Sequence, residues 1–387
     1  MHSNTTTLIL TLSIIIWLSP FIAKMLKIPT APLEIILGSL FAYAGYLGDN
    51  EYFDIIAEMG FLYLMFLAGM EVNPKQITQS SQNTLKKSIL FVITLGFFAI
   101  LFGFILDFNA IIIISLPLIS IGLLASLSKV YGKKEPWLNL AVTVGVIGEI
   151  TSIIALTILD VASSVGFGWK LIMQLAMFTI FISSVYMMYR FLVVVFWWYP
   201  EFKNVLMPHF DTSDQDVRMA MAVFFIMIST MLTMHLELAL GAFIAGVAIS
   251  AFFHHKKELE EKMSSLGFGF LVPLFFVHVG VSFDLHALML PGVVSGALLI
   301  TAVMILIRVF AAFHLRYIRT RIDALLVAFS LSMPLTLLIA VATIGYTSQQ
   351  IDLYTYYQLI LASLFEVIIS MLAIKIIRGC CYNLKNR

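Results

Sequence analysis

Hydrophobic residues make up 61% of the 387 and charged residues 12%, and the mean hydropathy is +1.00. Soluble domains run near half apolar and a quarter charged, so this composition excludes a large soluble core and implies a polytopic membrane protein. The net charge of +1 argues against a nucleic-acid partner, and Cys380 and Cys381, together in a basic tail, give neither a disulfide framework nor metal-ligand spacing.

Met1 to Thr7 has no basic n-region and no evident cleavage site, so the first apolar run is expected to be a retained helix. Apolar runs of spanning length fall at roughly 7–26, 31–48, 53–71, 88–106, 109–128, 137–160, 169–198, 217–234, 236–253, 264–283, 288–313, 323–346 and 353–377. The predicted fold class is therefore an all-α polytopic membrane protein with 13 transmembrane helices. Of the 23 basic residues, 20 fall on one face of that arrangement, from Lys24 and Lys27 through Lys256 and Lys257 to Arg378 and Arg387. The positive-inside rule then places the N-terminus outside and the C-terminus in the cytoplasm of a multi-pass cell (inner) membrane protein. Trp137, Trp169, Trp197 and Trp198 fall at predicted span ends, as an interfacial belt would.

An internal repeat runs through the chain. Leu37–Ala42 resembles Leu240–Ala245, and Phe66–Glu71 loosely echoes Phe276–Gly280. The same 217 positions separate Pro117 from Pro334 and Glu149 from Glu366. Seven spans lie between equivalent helices, so the halves have opposite topology, the inverted-repeat plan of secondary transporters. The expected organisation is a first half over 1–165, a linker helix and cytoplasmic loop over 166–214, and a second half over 215–387. Two broken helices are expected to cross near the midplane: one at 116–122 with Pro117 and Gly122, one at 330–336 with Pro334 and Thr336. A mid-helix proline frees a carbonyl, and unwound backbone is tolerated at membrane depth only where protein covers it or it lines a cavity. Freed carbonyls and nearby hydroxyls suit a small hard cation; a plain proline kink is the alternative reading.

From Leu138 to Leu159 only Glu149 carries a charge. A carboxylate there costs several kcal/mol if ionised in hydrocarbon, so it must face a cavity, find a partner or hold a proton. Arg308 is the only charge between Ala287 and Phe313, and guanidinium does not deprotonate in proteins. It is read as a structural ion pair, with Glu149 or Glu366 as its partner. Glu58 and Glu71 lie near opposite ends of their span, His278 reads as a hydrogen-bonded core histidine, and His254 to Glu261 reads as a solvated loop. No nucleotide loop, zinc motif or nucleophile elbow is visible, so neither a cofactor nor an enzymatic activity is expected.

Glu58–Glu71, Leu240–Gly246 and Pro273–Gly280 resemble three signatures of the monovalent cation:proton antiporter family, second branch, which includes NapA-type sodium/proton antiporters and the membrane domain of Kef-type potassium/proton antiporters. The resemblance implies a homodimer in the lipid bilayer, each protomer with a dimerisation domain and a core domain that moves as an elevator. The family's ion-binding acid, often preceded by Asn, Asp or Gln, matches Gly148-Glu149, and its basic residue near the end matches Arg308. Expected function is exchange of a monovalent cation, Na+ first with Li+ or K+ as alternatives, for H+, at one for one and electroneutral. Glu149 is the expected shared proton and Na+ site, with Ser120 and Ser332 or the broken backbones completing the oxygen shell. A sodium-coupled organic-solute symporter of similar architecture is the alternative.

Overall fold

In this computed structural model the described residues are 5–26, 30–48, 50–71, 81–121, 123–124, 127, 131–132, 135–165, 169–199, 201, 214–234, 238–253, 257–283, 285–286, 290–317 and 320–385. Gly122 lies outside them, as do Lys27, His254, His255, Lys256 and Arg387 among the residues named above. The helices in chain order are α1 (Thr5–Leu26), α2 (Thr30–Tyr43), α3 (Glu51–Glu71), α4 (Gln82–Ile105), α5 (Ala110–Ser115), α6 (Pro136–Val165), α7 (Trp169–Trp198), α8 (Gln215–Thr233), α9 (Leu238–Phe253), α10 (Lys257–Leu266), α11 (Val272–Val281), α12 (Val293–Ala312), α13 (Arg321–Ser330), α14 (Leu335–Thr347) and α15 (Leu353–Lys385). A π turn over Gly267–Leu271 joins α10 to α11, and a 3-10 turn over Phe313–Tyr317 follows α12. Each of the thirteen apolar runs falls on one or more of these segments. Among the described residues, eight spans are long and apolar enough to cross a membrane, and the α13–α14 pair, bent by 44°, makes a ninth. The helices α2 and α9 are apolar but shorter.

The long helices carry large apolar side chains on their outer surfaces as well as their inner ones. On α4, Phe91, Leu95 and Ala99 are buried, while Ile93, Phe97, Ile100 and Phe104 on the other side are exposed. A helix apolar all round needs lipid on its open face. Trp169, Trp197 and Trp198 are exposed at the two ends of α7, consistent with an interfacial belt. Trp137 departs from that expectation. It opens α6 directly after Pro136, is only 1% exposed, and stacks edge-on against Tyr131, so protein and not headgroup surrounds it.

The chain forms two compact units, one of residues 1–58, 76–156 and 273–387, the other of 59–75 and 157–272. In the first, α12 packs between α4 and α15, and α13 and α14 both lie along α15. In the second, α8 packs along α9 and touches α10. Each unit also holds one crossing at which the backbones meet. On the α2–α11 crossing a Cβ at Gly38 would lie 2.3 Å from the Val277 carbonyl, and one at Gly280 2.1 Å from the Ile35 carbonyl. On the α3–α9 crossing a Cβ at Gly69 would lie 2.1 Å from the Phe243 carbonyl, and one at Gly246 2.0 Å from the Phe66 carbonyl. Only glycine permits such approaches, the usual way apolar helices associate in a membrane. The reciprocal contacts match α2 with α9 and α3 with α11, as the repeat requires. They align Gly38 with Gly246, however, and not with Gly241 as the Leu37–Ala42 match implies.

Candidate functional site

The helix α5 is capped by Asn109, whose side chain accepts from the Ile112 N–H at 2.9 Å. It stops at Ser115, and the chain from Leu118 to Ile121 has no regular structure. Proline at 117 has no N–H with which to continue the ladder. The freed backbone groups find side chains instead. The Leu118 carbonyl accepts from Arg308 Nη2, the Ile119 N–H donates to Ser152 Oγ at 2.9 Å, and the Ile121 N–H donates to Glu149 Oε2 at 2.9 Å. Ser120 Oγ lies 3.4 Å from Glu149 Oε1, the outer limit of a hydrogen bond. Glu149 is fully buried, and Ser120 and Ser152 nearly so.

Two glycines of α6 admit this segment. A Cβ at Gly148 would lie 2.4 Å from Ile119 Cδ1 and 3.0 Å from its Cβ. One at Gly145 would meet Ile121 at 2.6 Å and Leu331 of the other interruption at 3.1 Å. Both interruptions therefore reach the same turn of α6, one turn before Glu149. The position where the resemblance leads one to look for a polar residue holds Gly148 because Ile119 occupies that space.

The second interruption runs from Leu331 to Pro334, between α13 and α14. Ser332 Oγ donates to the Ala328 carbonyl at 3.0 Å, and the Ser332 carbonyl accepts from Ser370 Oγ at 3.0 Å. Pro334 precedes the first residue of α14, and Thr336 is buried in its first turn. Ser332 makes no hydrogen bond to Glu149 among the described residues, so its place in the ion's shell does not rest on a direct contact.

Arg308 and Glu366 are both fully buried, with Nη1 2.9 Å from Oε1. That separation makes an ion pair, but the donor geometry is off-axis: both Glu366 oxygens and Arg308 Nε lack a hydrogen-bond partner among the described residues. Nη1 also donates to the Met304 carbonyl at 2.8 Å. Of the two partners left open by the sequence, Glu366 is the one in contact. Arg308 thus links the carbonyl of the first interruption to α15, and α15 reaches the second interruption through Ser370.

Ser152 and Ser370 were not singled out in the sequence. Their signal is spacing: each follows a mid-span acid by three or four residues and so shares its helix face. His278 is half-buried in the last turn of α11, not in a core. Its Nε2 lies 2.9 Å from Asp54 Oδ1, in the first turn of α3.

One carboxylate, two hydroxyls and unwound backbone make an oxygen-rich, buried site beside two helix interruptions. The profile of transmembrane sodium/hydrogen exchangers matches residues 9–377. The chain belongs to the sodium/hydrogen exchanger family. This exchanger-family chain is 26% identical over 381 residues to the putative Na(+)/H(+) antiporter YjbQ of Bacillus subtilis, covering 89% of this chain. It spans only 58% of that relative's length. It is 26% identical over 284 residues to the probable Na(+)/H(+) antiporter 3 of Methanocaldococcus jannaschii, covering 71% of this chain and 70% of that one. With the Na(+)/H(+) antiporter of Enterococcus hirae it shares 24% identity over 379 residues, 92% and 93% of the two chains. Among solved structures it is similar to the sodium proton antiporter MjNhaP1 from Methanocaldococcus jannaschii, with a TM-score of 0.65, 14% identity and 94% of each chain covered. That likeness is one of fold. The organic-solute symporter finds no support in these comparisons.

Proposed function

We propose that this protein exchanges a monovalent cation, Na+ before Li+ or K+, for H+ across the cell membrane, with Glu149 as the shared site. The observation that carries the reading is Glu149 itself: a fully buried carboxyl that meets Ser120 and the unwound backbone at Ile121. A carboxyl oxygen can hold a proton or a small cation but not both. Exchange follows if either loaded form crosses and the empty, charged form does not. Three relatives named as Na(+)/H(+) antiporters support the same chemistry. Ser120 and the broken backbones are assigned to the oxygen shell, with Ser332 as a further contributor during transport.

In the same reading the protein is a homodimer that works by an elevator motion, with its N-terminus outside and its C-terminus in the cytoplasm. The role is transport and not covalent catalysis. Arg308 stays charged and neutralises Glu366, so one titrating acid exchanges one H+ for one cation, electroneutrally. Everted vesicles loaded with a pH-sensitive dye test this directly. Adding Na+ should release the accumulated H+, Li+ and K+ added separately rank the substrates, and an imposed membrane potential should neither drive nor slow exchange. No cation-dependent H+ movement above that of vesicles lacking the protein would refute the proposal.

A further inference from the structure

One buried acid takes no part in the site above. Glu34, in α2, is 4% exposed, and its one side-chain partner among the described residues is Ser19 of α1, whose Oγ lies 2.9 Å from Glu34 Oε1. The other three buried acids among the described residues, Glu149, Glu366 and Asp216, each have a backbone N–H or a basic group against them. Glu34 has neither. Beside it lies an unusual acceptor. Pro20 sits inside α1 and lacks the N–H that would bond the carbonyl of Ile16, four residues back. Ser19 Oγ is the group that approaches that carbonyl, at a long 3.5 Å. A carboxyl, a hydroxyl and a proline-freed carbonyl thus meet at the α1–α2 contact, with no positive charge against the acid among the described residues.

We propose that Glu34, with Ser19 and the Ile16 carbonyl, is a second proton-binding site, separate from Glu149, whose occupancy sets the alkaline limit of exchange. A neutral carboxylic acid has one O–H to donate and finds acceptors here, whereas its anion would be buried with a single hydroxyl for company. Among the described side chains of α1, α3, α11 and α15, the charged and titratable groups have other partners or lie open; Glu51 and Glu58 of α3 are exposed. Lys24 of α1 is exposed. His278 of α11 is paired with Asp54. On α15, Glu366 is paired with Arg308, Arg378 with Glu135, Tyr354 donates to the Pro291 carbonyl, Tyr356 and Tyr357 stack on each other, and Lys375 is exposed. Loss of the proton draws water to Glu34 and loosens α1 from α2. Because α2 is locked to α11 by the Gly38 and Gly280 contacts and by the Ser39 Oγ bond to the Gly280 carbonyl at 2.8 Å, the disturbance passes to α11.

The link to exchange rests on the function proposed above; the proton site itself does not. Infrared difference spectra of the full chain in vesicles, taken between acid and alkaline buffer, report protonated carboxyl groups by their C=O stretch. Glu34→Gln should remove one such band that Glu149→Gln leaves in place. Pro20→Ala returns an N–H to the Ile16 carbonyl while keeping the acid, and should shift that band. In dye assays, Glu34→Gln should still exchange and should hold its acid-side rate to at least about one pH unit above wild type, since the amide stays neutral. Spectra of Glu34→Gln and Pro20→Ala that both match wild type would overturn the proton site. A superimposable pH profile would overturn its link to exchange. If no variant and no wild type exchanges, the earlier proposal fails and the infrared result still decides this one.

Discussion

Ser152→Ala removes one oxygen and leaves one orphan. In the structure Ser152 Oγ donates to the Gly148 carbonyl at 2.8 Å and accepts the Ile119 N–H at 2.9 Å. The Gly148 carbonyl keeps its helical backbone donor, so only the Ile119 N–H is stranded. Ile119 is fully buried, and an unsatisfied buried donor costs about 1–3 kcal/mol. The cost falls on the segment whose next two residues meet Glu149. If the ion-loaded form bears all of it, the Na+ concentration for half-maximal exchange rises about 5- to 140-fold at fixed pH, at about 1.4 kcal/mol per tenfold. Dye dequenching in everted vesicles measures that concentration directly. Ser152→Thr keeps the hydroxyl and should recover most of the loss. A Ser152→Ala protein with wild-type Na+ dependence and wild-type thermal stability would refute the reasoning.

Gly148→Ala forces a methyl group against Ile119; overpacking of this kind costs about 1–3 kcal/mol, so exchange should fall sharply and Ile119→Val, which removes the closest atom, should restore part of it. Removing one partner of a buried ion pair costs about 3–5 kcal/mol, so Arg308→Met and Glu366→Gln should each lower the melting temperature in detergent, while the double variant should be less damaged than their sum. Equal, additive losses would mean that the two groups do not hold each other.

The spans were legible because each is a long apolar run, and the interruptions because proline recurs at one repeat position in helices that cannot spare an N–H. Glu149 stood out because it carries the only charge between Leu138 and Leu159. Its contact with Ser120 follows from the interruption on the helix before it. The partner of Arg308 was open, since two buried acids sit on neighbouring helices and only packing chooses between them. Ser152 shows in the sequence only as a spacing, three residues after Glu149, and its role stays hidden for a different reason. A serine inside a membrane helix ordinarily bonds the carbonyl four residues back, which Ser152 does; its second lone pair, turned to Ile119, leaves no trace in the sequence. Glu34 was not singled out in the sequence; only the packing of α1 against α2 shows it to be buried. Small-residue patterns recur along any apolar helix, so the glycine register could be read only from the backbone contacts.

The central claim is that the buried acid of α6 carries the exchanged ion. Glu149→Gln keeps the size of the side chain and an oxygen for the Ile121 N–H, so the protein should remain folded. Purified and reconstituted, it should show neither Na+-driven H+ movement nor pH-dependent Na+ uptake. Exchange at wild-type rates by a folded Glu149→Gln protein would contradict the account.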